Sequence, residues 1–263
     1  MNNEKYALIT GATSGIGYEL AKLFAKDHYN LIIVARDENE LSTTASKLKQ
    51  EFNISVETIS KDLFKKESPF EVYDEVKLKG IEIDVLVNDA GHGYYGQFLD
   101  TDIGTELDII QLNIGAYVVL TKCFLKDMVA RGEGKILNVG SIAGEAPGPW
   151  QSVYHGTKAF VNSWSAAIQH EVKDKGVSVT CLLPGATDTD FFRKAEMEES
   201  KIVQENDLDD PAGVARDGYE GLMAGKPKVI SGLKNKMQVG MGNILPDSVA
   251  AAQMSKQQEP VRK

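Results

Sequence analysis

The sequence predicts an α/β fold, a doubly wound parallel sheet forming one domain over residues 1–263. Three observations carry this reading. Short β-branched runs alternate with longer stretches of helical periodicity. Several of the runs are apolar nearly throughout, as central strands covered on both faces must be. The strand-then-helix repetition implies right-handed crossovers between parallel strands.

Taken in order, the first strand is 6–10, followed by a helix over 16–26 whose apolar positions are Leu20, Leu23 and Phe24. A second strand at 31–34 precedes a helix over 38–52 with Leu41, Ala45 and Leu48 on one face. Strands follow at 55–60, 85–87, 135–139, 177–183 and 228–230. Two longer helices are expected at about 105–131 and 152–175. No internal repeat or compositional break divides the chain. Residues 186–210 are the least regular and are expected to cover substrate; the polar tail 255–263 is expected to be loose.

Composition narrows the functions. The chain has 42% hydrophobic and 25% charged residues and a net charge of -9. That charge repels phosphate backbones and anionic lipids, so neither nucleic acid nor membrane is an expected partner. Cys123 and Cys181 lie in apolar stretches without disulfide or metal spacing and read as buried free thiols. No His, Cys and carboxylate grouping has ligand spacing, so no metal is expected. The N-terminal stretch does not resemble a signal peptide, and no apolar run approaches the roughly 20 residues that cross a bilayer. A cytoplasmic protein is expected.

Residues 10–17 read TGATSGIG, between a strand and a helix. Gly11, Gly15 and Gly17 permit a tight turn and close backbone approach. With Thr13, Ser14 and Ile16 they form a loop whose free N–H groups and helix N-terminus suit a phosphate. At the end of the second strand stand Ala35 and Arg36. An acid there would hold a ribose 2′-OH, whereas a guanidinium accommodates a 2′-phosphate. NADP(H) is therefore the expected cofactor, with NAD(H) the runner-up through Asp37. Asp62, beside Leu63, follows the third strand and suits either the adenine amino group or a local cap.

Tyr154 and Lys158 are four residues apart in a helical segment and so share a face. A free tyrosine has a pKa of about 10, and a nearby ammonium favours its phenolate. Ser141 lies just past a strand, where open α/β sheets keep their ligands.

Together these pieces resemble the short-chain dehydrogenase/reductase family, in its shorter single-domain branch with a Rossmann-type fold. The matching stretches are TGATSGIG, NDAG (88–91), LNIGA with Asn113, VGSIAG with Ser141, YHGTK with Tyr154 and Lys158, and LPGATDT (183–189), in family order over roughly 6–190. The resemblance implies an oxidoreductase passing a hydride between NADP(H) and a carbonyl or alcohol substrate. It implies Tyr154 as general acid or base, Ser141 holding the substrate oxygen, and Lys158 on the nicotinamide ribose. Asn113 would help hold a water that relays protons to Lys158. Asn88, Ala90 and Gly91 would border the adenosine side; Pro184, Gly185, Thr187 and Thr189 would border the nicotinamide. One position departs from the family, which usually reads Asn-Asn-Ala-Gly: here Asp89 replaces an amide and puts its donated hydrogen bonds in doubt.

His155 reads as a neighbour of Tyr154, His92 as a loop residue near the substrate, and His28 and His170 as surface residues. Tyr94, Tyr95, Trp150, Phe191 and Phe192 either line an apolar substrate site or pack under loops. The long helices imply, by family likeness, a homodimer or homotetramer. An NAD-dependent alcohol dehydrogenase and a non-catalytic nucleotide-binding protein remain as alternatives.

Overall fold

In a computed structural model, residues 4–205, 207–242 and 245–261 are described. Seven parallel strands form one sheet: β1 (Tyr6–Thr10), β2 (Asn30–Ala35), β3 (Val56–Ser60), β4 (Val85–Asn88), β5 (Gly134–Val139), β6 (Val177–Leu183) and β7 (Lys228–Ile230). Their order is β3-β2-β1-β4-β5-β6-β7. The chain winds outward from β1 to β3, then restarts at β4 on the other side of β1. The crevice outside the carboxyl ends of β1 and β4 is thus the topological switch point, where ligands bind such sheets.

Helices cover both faces. α1 (Gly15–Lys26), α2 (Glu38–Phe52) and α9 (Pro211–Met223) bury Leu20, Phe24, Leu41, Leu48, Val214 and Leu222 on one side. α3 (Ser68–Leu78) and α5 (Tyr117–Arg131) bury Val72, Val76, Leu120 and Phe124 on the other. β1, β2 and β4 are buried almost end to end, whereas the edge strand β3 buries only Val56 and Ile59, as strands covered on both sides and strands at an edge differ. α2 begins where the Asp37 carboxylate accepts the N–H groups of Asn39 and Glu40 at 2.8 and 2.9 Å.

Three expectations change. The helix over 105–131 is interrupted: α4 (Ile103–Ile110) passes through a π-helical turn, Gln111–Ala116, into α5. The whole run Ile103–Arg131 is long and apolar enough to cross a membrane, which the sequence reading overlooked; 44% of its most apolar window is buried inside the fold. The helix α6 (Ser152–Val172) ends before 175.

The tail is not loose over its described part. α10 (Leu233–Gly242) is followed by α11 (Asp247–Gln258), whose last residue is buried. Beyond it, Lys201 N–H donates to Glu259 C=O and Val261 N–H to Glu199 C=O, at 3.1 and 2.9 Å. Backbone pairing fixes this segment, and its polar composition hides that. Residues 262–263 lie outside the described residues. The segment 186–210 carries two short helices, α7 (Phe191–Lys194) and α8 (Lys201–Gln204), around a small core of Phe192, Ala195 and Met197; residue 206 lies outside the description.

Candidate active site

The loop after β1 is shaped by what its glycines lack. Gly11 has φ of +73°, and a Cβ on Gly17 would stand 2.6 Å from the Gly11 carbonyl oxygen. Such a position excludes any side chain. Ser14 is the N-cap of α1 but makes no side-chain cap bond, so the positive end of the helix opens toward the loop. Above the sheet edge lies a cavity of about 880 Å³. Its nucleotide end is bordered by Gly11, Thr13, Ser14, Gly15 and Ile16, by Arg36, and by Asp62 and Leu63. Ala90 and Gly91, then Pro184, Gly185, Thr187 and Thr189, carry the wall toward Ser141, Tyr154 and Lys158. An uncapped helix end, a loop only glycine permits and a cation at the far end fit a dinucleotide.

Arg36 is exposed and its guanidinium lies over the Phe64 ring, 5.0 Å from its centroid, a contact that spacing does not disclose. Asp37 Oδ1 is engaged in capping α2. Asp62 borders the cavity and also accepts the Phe64 N–H at 3.3 Å, so both of its expected uses stay compatible with its place.

Any contact Asn88 makes with the adenosine side would come from its main chain, because its side chain turns away. It does not border the cavity; it is fully buried, and its amide donates to Thr121 Oγ1 at 3.0 Å and Asn138 Oδ1 at 2.8 Å. It ties β4 to α5 and β5, because its side chain points into the interior where a free amide would be costly. Gly17 likewise acts from beneath the loop rather than from the wall.

The four expected catalytic residues converge from different elements. Asn113 sits in the π-helical turn, where its amide accepts His92 N–H at 3.0 Å and donates to His92 C=O and Thr157 Oγ1 at 2.9 and 3.0 Å. Asn113 and Lys158 both flank Gly91: a Cβ there would lie 3.5 Å from Asn113 Oδ1 and 3.6 Å from Lys158 Nζ. Ser141 is held at both its backbone groups by Asn162, which also donates to Glu145. Glu145 in turn pairs with Lys228 of β7 at 2.9 Å. No motif or spacing marks this support, because its members come from α6, from the turn after β5 and from β7.

Tyr154 differs from its expected state. Burial pushes the phenol up to about 12, and its bond with the Ser141 hydroxyl only partly offsets this. Lys158 Nζ donates to Val139 C=O at 2.8 Å and lies 5.8 Å from the Tyr154 ring centroid. The i,i+4 spacing brings the two residues together as expected, but burial and the Ser141 bond, not the ammonium, set the position of the phenol. Burial also brings Lys158 down to about 8, opposed by the Asp89 charge. Asp89 itself is pushed up to about 7 by burial, against the pull of Lys158 and the Gly17 N–H. The acid that departs from the family pattern thus faces the catalytic lysine.

Of the histidines, His92 borders the cavity and is held below its ordinary pKa by burial and by Arg36 and Lys194. His155 is buried, with Nδ1 2.9 Å from Ala146 C=O and Nε2 3.0 Å from Gln258 Nε2. Phe191 and Phe192 border the cavity, Phe191 at 5.1 Å between ring centroids from Tyr154. Tyr95 and Trp150 instead stack on each other at 5.7 Å behind it. Gln151 and Gln258 complete the wall beside Tyr154; nothing in their sequence surroundings marked them.

A family model described as "short chain dehydrogenase" matches residues 5–200. The very-long-chain 3-oxoacyl-CoA reductase of Coprinopsis cinerea is 37% identical over 177 residues, 66% of this chain and 52% of that protein. The enzyme of the same name from Rattus norvegicus is 35% identical over 187 residues, 68% of this chain and 58% of that protein. The chain thus spans little more than half the length of these relatives. A short-chain dehydrogenase from Sphingobium yanoikuyae, solved in complex with NADPH, superposes with a TM-score of 0.82 at 28% identity, covering 92% of this chain and 96% of that one. The bulky-bulky ketone specific alcohol dehydrogenase from Comamonas testosteroni gives 0.77 at 28% identity, covering 96% and 99%. The chain belongs to the short-chain dehydrogenase family of oxidoreductases.

Proposed function

We propose that this short-chain dehydrogenase is an NADPH-dependent carbonyl reductase whose substrate is a bulky, largely apolar ketone. The observation that carries the reading is one cavity joining Arg36 at one end, Ser141, Tyr154 and Lys158 in the middle, and Phe191, Phe192 and Met197 at the other. The bound dinucleotide would supply the hydride. Ser141 holds the substrate oxygen, and Tyr154 donates its hydroxyl proton to that oxygen as charge develops. The raised pKa of Tyr154 keeps it in the proton-donating form that reduction requires. Lys158, charged below about 8, steadies the phenolate left behind. The names of the relatives, reductases of 3-oxoacyl thioesters and a dehydrogenase of bulky ketones, support a carbonyl substrate.

Arg36 favours NADPH because it offers a planar cation at the end of β2. The second reading, an NAD-dependent alcohol dehydrogenase, rests on Asp37, whose remaining carboxylate oxygen would have to take the ribose. NADPH and NADH titrations of the Trp fluorescence decide between them. We expect NADPH to bind at least about tenfold tighter, and Arg36→Ala to remove that preference while changing NADH affinity little. Equal affinities, or preference for NADH, would move the ribose contact to Asp37. Exposed Ile103, Leu107, Ile110 and Phe160 support a homodimer or homotetramer, which light scattering measures directly. The acidic balance and two free cysteines support a cytoplasmic setting.

A further inference from the structure

The substrate end of the cavity has two glutamines that are almost wholly buried, Gln151 at 5% exposure and Gln258 at 2%. Among the described residues, Gln151 Nε2 and Gln258 Oε1 have no hydrogen-bond partner. Buried amide groups are nearly always paired, so two unpaired ones on one wall point to a ligand.

Their placement is specific. Gln151 is the N-cap residue of α6, three positions before Tyr154, and both side chains border the cavity. A Cβ on Gly93 would lie 3.2 Å from Gln151 Nε2 and 2.7 Å from Phe191 Cζ. The missing side chain at Gly93 therefore leaves room for the amide beside the Phe191 ring that packs on Tyr154. For Gln258 the bonding direction can be worked out. His155 Nδ1 faces a carbonyl and so carries the ring hydrogen; burial keeps the ring neutral, so Nε2 accepts from Gln258 Nε2. Gln258 Oε1 is then the free end. Its backbone carbonyl takes the Tyr95 hydroxyl, which anchors the end of α11 against this corner.

We propose that Gln151 is a specificity-determining residue that donates to a second oxygen of the substrate, placing the substrate among ketones with a neutral acceptor close to the reacting carbonyl, such as a 3-oxo ester or thioester. This rests on the carbonyl-reductase reading. A neutral acceptor fits because the orphan donor, Gln151 Nε2, belongs to an uncharged amide, and an unpaired charge buried against it would be costly.

The test uses the full chain with NADPH and two ketones of equal length, an alkyl 3-oxooctanoate and a dialkyl ketone without the ester. We expect the kcat/KM ratio to favour the oxo ester by at least about tenfold, because a site built to pair an oxygen discriminates against the analogue lacking it. Gln151→Leu should lower that ratio at least about tenfold relative to the unaltered protein. The intrinsic reactivity difference between the two ketones is common to both proteins and cancels when the ratios are compared. NADPH quenching of the Trp fluorescence and the unfolding temperature establish that the variant is folded, and Gln151→Asn should keep part of the ratio. A ratio unchanged in Gln151→Leu, or a ratio near unity in the unaltered protein, overturns the proposal. Reduction of neither ketone by protein that binds NADPH overturns the reductase reading, and this inference with it.

Discussion

At the nucleotide end, the wall is the carboxyl edge of β1, β2 and β4 with the backbone loop of Gly11 to Gly17. At the substrate end, the wall is made of side chains from α7, α10 and α11, elements distant in sequence from the strands they cover. The first wall offers N–H groups, a helix end and one cation. The second offers shape, with Phe191, Phe192 and Met197 around isolated amides. A backbone wall tolerates little change but needs few particular side chains. A side-chain wall can change its selectivity without disturbing the sheet.

The sharpest way to break this division is at the junction. Tyr154→Phe should lower kcat for ketone reduction by about 10²- to 10⁴-fold, the range for loss of a positioned proton donor. NADPH affinity, by fluorescence titration, should stay within about twofold. A parallel loss of NADPH binding would show that the two ends are not separable there. Next, Gly17→Ala should weaken NADPH by about tenfold or more, because the new Cβ meets the Gly11 carbonyl at 2.6 Å. A calorimetric titration that found unaltered affinity would mean the loop can shift without cost.

On the other wall, Gln258→Ala removes the bond to His155 and should raise KM for a bulky ketone by about three- to tenfold through loss of that side-chain tie between α11 and α6, although the backbone bond to Tyr95 remains. NADPH affinity should not move; a matching loss there would merge the two walls into one unit. The smallest effect is expected at Asp89→Asn and concerns proton linkage. Asp89 ionises near 3.8 when unfolded and at about 7 when folded, so its folded form holds the proton longer. Its contribution to stability is full below about pH 4 and is lost as pH rises toward 7. The unfolding temperature of the variant relative to the parent should therefore rise by about 2–5 °C between pH 5 and pH 7.5. A constant difference across that window would mean that Lys158 already holds Asp89 ionised at pH 5.

The same division explains what the amino-acid sequence discloses. Strands that are buried nearly throughout announce themselves by composition, and β1 and β6 occupy the expected residues, as does the more exposed edge strand β7. The loop glycines, Ser141, Tyr154 and Lys158 lie in contiguous stretches whose spacing already encodes their geometry. The π-helical turn at Gln111–Ala116 does not, because its residues suit an ordinary helix and only the bonds of Asn113 to His92 and Thr157 reveal it. Spacing brings Lys158 near Tyr154 but does not weigh desolvation, so the phenol lies higher than adjacency suggests. Asn88 sits in a stretch that borders the cavity yet faces the other way, into α5. Gln258 belongs to a polar tail, and its burial depends on contacts with residues about a hundred positions earlier.

The backbone pairing of Glu199 and Lys201 with Val261 and Glu259 has a consequence for how the molecule is made. A nascent chain emerges from its N-terminal side, and domains tend to take shape in that order. All of the nucleotide wall has left the ribosome once Thr189 is out, while the opposite wall waits for the last turn of α11. During synthesis the protein therefore passes through a stage with the glycine-loop side of the cavity present and its opposite side open, with Phe191, Phe192 and Met197 bare to any chaperone that meets them.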